Sequence, residues 1–144
     1  MTDTTDTVRS DSISLAGARR VLDAALAHAE SMSRLMCITV CDNAGDPVLS
    51  ARMDGAPRLT AKIAADKAWT VASFNGLSTH EWWPMIEHNP ALVHGITHTP
   101  RLIVFGGGVA IRVDGHVVGA IGVSGGSSED DRAVAEAGAA ALGP

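Results

Sequence analysis

The chain has 144 residues, 46% of them hydrophobic and 19% charged, with a formal net charge of -5. That length suits one domain around a single core, and an acidic balance without a Lys/Arg cluster argues against a partner that presents rows of phosphates, so no nucleic-acid binding is expected. No apolar run is long enough to span a bilayer and residues 1–11 are too polar for a secretion signal, so a cytoplasmic protein with no membrane partner is expected.

Residues 1–13 read as a disordered tail and residues 14–144 as one domain. The first helix opens at Ser14, an N-cap residue, with Leu15, Ala18, Val21, Leu22, Ala25, Ala29 and Met32 on one face and Arg19, Asp23 and Glu30 on the other. Residues 35–41 are apolar and partly β-branched, and Asp42-Asn43-Ala44-Gly45-Asp46 supplies turn chemistry before a second strand at 48–53, which makes a hairpin. On one strand Cys37 and Cys41 stand about 13 Å apart at roughly 3.3 Å per residue, beyond the roughly 7 Å that a disulfide spans. They also lack the ligand spacing of structural zinc, so two buried thiols are expected and no metal site.

Asp54-Gly55-Ala56-Pro57 breaks the second strand, and a helix follows at about 58–74. Its apolar stripe of Leu59, Ile63, Val71 and Phe74 is interrupted by Lys67, a cation on the inward face. Ser78-Thr79-His80-Glu81 reads as a capping box opening a short third helix. That helix carries Trp82 and Trp83, one packing inward and the other left for a partner subunit or a flat ligand. After a polar stretch at 91–100, strands are expected at 102–105, 109–113 and 117–124, with Gly106-Gly107-Gly108 at the first break and Asp114-Gly115 as a two-residue hairpin turn at the second. Gly119 and Gly122 in the last strand leave room for another backbone or a ligand to come close, and a final helix runs from about 128 to 142.

Strands adjacent in this order are joined by turns too short for parallel crossovers. An α+β fold is therefore expected, a five-stranded antiparallel sheet flanked by helices. Both glycine-rich breaks then fall at strand ends beside helix termini, places that suit an anion or a carboxylate.

Several blocks together resemble the GlcG/HbpS haem-binding family, which includes the C-terminal domain of PduO-type proteins. They are Asp42-Asn43-Ala44-Gly45, the run from Arg52 to Pro57, Asp66-Lys67-Ala68-Trp69-Thr70, the run from Gly106 to Ile111, and the run from Gly119 to Gly125, and the resemblance covers about 14–142. It implies a single domain with a sheet flanked by helices, self-assembly into a homo-oligomer, and in some members binding or slow breakdown of haem, or binding of a corrinoid. The Pro-Gly-Gly-Val-Pro block usual in the family is replaced here by Gly106-Gly107-Gly108-Val109-Ala110, which predicts a more mobile loop.

The expected ligand is a small molecule, with haem or a related tetrapyrrole as the cofactor that the resemblance implies. The expected cleft gathers Arg52, Asp54, Lys67, His80 and Gly106, Gly107 and Gly108. Lys67 and Arg52 would hold carboxylates, and one of His80, His94 and His98 would approach the iron. An inward Lys67 has other uses open to it: as a base, in a relay with Arg52 and Asp54, or simply paired with Asp54 or snorkelling along the sheet edge. Asp54 is equally a helix cap. A competing reading is a cofactor-independent acid–base enzyme of isomerase or lyase type, with Lys67, Asp54 and His80 as catalytic groups. There Lys67 or His80 moves a proton on a small carbonyl or hydroxy-acid substrate while the Gly107 and Gly108 amides hold the oxyanion. A third is a non-catalytic assembly module.

Overall fold

The computed structural model describes residues 6–144. Helix α1, Leu15–Ser31, opens where the Ser14 hydroxyl accepts the Gly17 amide at 3.0 Å, and buries Ala18, Val21, Ala25 and Ala29. Strands β1, Cys37–Asp42, and β2, Pro47–Arg52, are joined by a turn in which the Asp42 carboxylate accepts the amides of Ala44 and Asp46. Then come α2, Leu59–Ser73, a 3₁₀ turn, Thr79–Glu81, held by the Ser78–Glu81 capping box, and α3, Trp82–Ile86. The stretch expected to be irregular contains α4, Pro90–Ile96, capped by Asn89 and burying no residue. Strands β3, Gly108–Val113, and β4, His116–Ser124, lead to α5, Ser128–Ala139, whose cap is the Ser127 hydroxyl.

The sheet is antiparallel in the order β2-β1-β4-β3, and it has four strands, not the five expected. Residues 102–105 are apolar enough for a strand, but helix α2 takes up their polar groups instead. Thr70 Oγ1 accepts the Ile103 amide at 3.0 Å and lies 3.1 Å from the Arg101 carbonyl oxygen, while Arg101 Nε donates to buried Asp66 at 2.9 Å and its guanidinium stacks on Trp69. The segment is thus a strap across α2, and sheet pairing resumes at Gly107, whose carbonyl accepts the Val123 amide.

The two sheet faces carry different residues. Ile38, Val40, Val109, Ile111, Ile121 and Val123 face α1 and α5, packing with Val21, Ala25, Val134 and Ala135. The opposite face presents small residues, including Cys37, Cys41, Ala110 and Ala120, toward Ala64, Ala68 and Val71 of α2. Smallness there lets the helix backbone rest almost on the sheet: a Cβ at Gly122 would stand 2.0 Å from the Ala64 carbonyl oxygen. The close approach expected at this glycine is therefore made by a helix. Both cysteines are buried and unpaired, and burial pushes the Cys41 thiol up to about 11.

Of the stretch read as a tail, residues 1–5 lie outside the described residues. Asn43 holds Ser10, Asp11 and Ser12 through its side chain and backbone amide, and the Ile13 amide donates to the Val118 carbonyl at 2.9 Å.

Gly122→Ala is expected to lower stability by about 1–3 kcal/mol or more, because backbone blocks the methyl group. Urea unfolding followed by circular dichroism would read this as a lower midpoint at an unchanged m value; an unchanged midpoint would mean that α2 lifts off freely.

Candidate functional site

Helices α2 and α5 pack on opposite faces of the sheet, and a single ion pair joins them around its end. Lys67, fully buried in the middle of α2, donates from Nζ to Asp131 Oδ2 at 2.9 Å and to the Val123 carbonyl at 2.8 Å. The other Asp131 oxygen accepts the Gly126 amide at 2.9 Å. Room for this comes from Gly107, whose φ is 125°: a Cβ there would lie 2.6 Å from Lys67 Nζ and 2.5 Å from the Val123 carbonyl oxygen. Burial lowers the Lys67 pKa, opposed by the hydrogen bond and charge of Asp131; burial likewise raises the Asp131 pKa, opposed by Lys67 and the Gly126 amide. Burial pushes each partner toward its neutral form, and the other draws it back toward its charged one.

Beside this pair opens a cleft of about 450 Å³, lined by His80, Trp83, Val104, Phe105, Gly106, Ser128, Glu129 and Arg132. Its size falls within the usual range for small-molecule sites, roughly 300–1,000 Å³. Trp83 and Phe105 are half exposed, and the Phe105 ring lies over Lys67 Nζ at 5.1 Å from its centroid. His80 has a buried Nδ1 with no hydrogen-bond partner. Burial, and after it the charge of Arg132, lowers the His80 pKa, against the pull of Glu81 and Glu136. The imidazole is thereby held in its neutral, ligating form at pH 7. Arg132 is braced by Glu136 one turn on, with Nε donating at 2.7 Å.

The structure brings Lys67, His80, Gly106, Gly107 and Gly108 to one end of the sheet. Arg52 and Asp54 do not line the cleft: Arg52 ends the edge strand β2, paired with Cys37, at the same end of the sheet but with two strands between it and β3, and both side chains are exposed. The partner of Lys67 is Asp131, so no relay runs through Asp54, and α2 begins without a side-chain cap. His94 and His98 are exposed on and just after α4, away from the cleft lining. The Gly108 amide, expected to face an oxyanion, donates to Thr79 Oγ1 at 2.8 Å and is spent there. Of the adjacent tryptophans Trp82 packs inward against Phe74, and Trp83 points into the cleft. Among the described residues no group of three His, Cys, Asp or Glu is placed to hold a metal ion.

Asp131 and Arg132 were not singled out from the sequence, where Asp131 is one of three consecutive acidic residues, Glu129, Asp130 and Asp131, at the start of the last helix. The helical period held a signal. Asp131 falls on the face of Val134, Ala135 and Gly138, all buried, so it is an inward carboxylate that needs a cation.

Residues 13–140 match the family described as haem degrading protein HbpS-like. An uncharacterized 15.0 kDa protein of the dhaT-dhaS intergenic region of Citrobacter freundii is 35% identical over 126 residues, which are 86% of this chain and 87% of that one. Protein ORFY of Klebsiella pneumoniae superposes with a TM-score of 0.88 at 30% identity, covering 98% of this chain and 97% of its own. The PduOC:heme complex superposes with a TM-score of 0.83 at 29% identity, covering 91% and 95% respectively.

Lys67→Met leaves Asp131 buried and alone and is expected to cost about 3–5 kcal/mol in urea unfolding, whereas Lys67→Met with Asp131→Leu is expected to recover most of that loss. A single variant as stable as the parent would show that water reaches the pair.

Proposed function

This chain belongs to the HbpS-like family, and on that premise we propose that it binds haem or a related tetrapyrrole in the cleft at the end of the sheet. The observation that carries the reading is His80, a neutral imidazole in the cleft wall with a buried ring nitrogen that no protein group satisfies. With Nδ1 buried, Nε2 is the nitrogen an iron in the cleft would meet, and an imidazole that no protein group engages has the chemistry of an axial ligand. Trp83, Val104 and Phe105 offer an apolar and aromatic wall to a flat macrocycle. Lys67 is engaged with Asp131, so the carboxylates of the group fall to Arg132 at the cleft rim. When bound, haem would supply a redox-active iron; the protein's part is to hold it, ligate it and shield one face. That a PduOC chain of the same fold is known as a complex with haem supports the reading.

We take the protein further as a cytoplasmic homo-oligomer. Met85 and Leu92 leave exposed apolar surface on α3 and α4, which self-association would cover. Among the described residues no helix is long and apolar enough to cross a membrane.

Titration with haemin, followed by ultraviolet-visible absorption, is expected to give saturable one-to-one binding with a Soret band. His80→Ala should lose the axial-ligand signature, His94→Ala and His98→Ala should bind as the parent does, and Arg132→Ala should weaken binding by about tenfold or more. Featureless binding that is indifferent to His80→Ala would sink the proposal. Because burial lowers the His80 pKa from 6.5, and a protonated imidazole cannot ligate, affinity should hold through pH 6.5 and fall only in more acid solution.

A further inference from the structure

The chain has only two lysines, Lys62 and Lys67, among its eleven Lys and Arg residues. One is on the surface, paired with Asp66, and the other is the largest fully buried side chain among the described residues. An arginine would serve a purely structural ion pair and would stay charged; a lysine can give up its proton and become a nucleophile. From the geometry at the end of the sheet we infer that Lys67 is a covalent site for a small carbonyl compound, an aldehyde or 2-oxo acid that enters through the cleft and is held on Nζ as an imine.

Three observations carry this. Nζ makes two hydrogen bonds, to Asp131 and to the Val123 carbonyl, one fewer than an ammonium can donate, and the bare Gly107 and the Phe105 ring lie beside it. That ring is also a wall of the cleft, 47% exposed, on a segment outside the sheet, so one side chain separates the amine from the cleft. Asp131 stands 2.9 Å from Nζ, placed to take its proton and give it back. The opposed shifts of the two groups, each toward neutrality, suit that exchange. Arg132, on the helix that carries Asp131, favours a carbonyl compound that also bears a carboxylate.

The chemistry balances within the site. The ammonium passes one proton to the Asp131 carboxylate, and the freed amine attacks the carbonyl carbon. A proton shifts from nitrogen to oxygen to give a carbinolamine. Asp131 returns its proton to that hydroxyl, which leaves as water as the nitrogen lone pair forms the C=N bond. A protonated imine and an ionised Asp131 remain, with no oxidant or reductant consumed.

The test is reductive trapping. The full-length protein, free of haemin, is incubated with glyoxylate and cyanoborohydride, and adducts are located by peptide mass mapping. The expected result is an N-carboxymethyl group on Lys67, formed at least about tenfold faster than on Lys62 or the terminal amine, as a desolvated amine requires. Phe105→Ala, at a half-exposed position, should speed labelling of Lys67 while leaving the melting temperature near that of the parent, and Lys67→Arg should leave only the slow background. Labelling confined to Lys62 and the terminal amine, in both the parent and Phe105→Ala, would overturn the inference and leave Lys67 a structural cation. Since no haemin is present, that failure would leave the haem reading untouched.

Discussion

The ion pair between Lys67 and Asp131 is the constraint around which the rest is arranged. Helices on opposite faces of a sheet do not touch, and each can in principle slide over its own face. Here a cation from one layer reaches past the sheet end to an anion in the other, and the pair is held by the Val123 carbonyl and the Gly126 amide. A charge out of water is costly unless it is paired and hydrogen-bonded. The pair therefore tolerates little displacement of α2, of α5 or of the glycine loops between them. What it contributes is register between layers rather than net stability.

Small residues make that register attainable. Lys67 reaches Val123 because α2 lies low on the sheet, and α2 lies low because Gly122, Ala120 and the two cysteines present no bulk to it. The aliphatic face does the opposite, filling the space under α1 and α5 with Ile and Val side chains. One sheet thus has an apolar core on one side and a close backbone contact on the other. The cleft forms where this asymmetric sandwich ends.

The strap at 101–105 shows how a polar latch redirects an apolar segment. Asp66, Trp69 and Thr70 along one side of α2 hold Arg101 and the Ile103 amide, and Val104 and Phe105 are thereby laid along the cleft wall. Phe105 belongs at once to the cleft and to the roof of the buried amine. A flat ligand in the cleft and the protonation state of Lys67 are therefore separated by one ring.

Local patterns determined much by themselves. The hairpin turns at Asp42 to Asp46 and Asp114-Gly115, the Ser14 cap, the Ser78–Glu81 capping box and the inward lysine were all legible, because each depends on residues within one turn of chain. The blocks from Asp42 to Gly125 were enough to recognise the family. The fifth strand was misjudged because periodicity cannot say whether an apolar segment meets a strand edge or a helix side chain. Residues such as Arg52, Asp54, His94 and His98 had suitable chemistry but no marker of position. The partner of Lys67 lies 64 residues along the chain, and only packing across the sheet end brought Asp131 to it. A sequence written in local periods determines which face each residue takes; which faces meet is decided by close packing of whole layers, and there the cleft, its imidazole and its buried amine were placed.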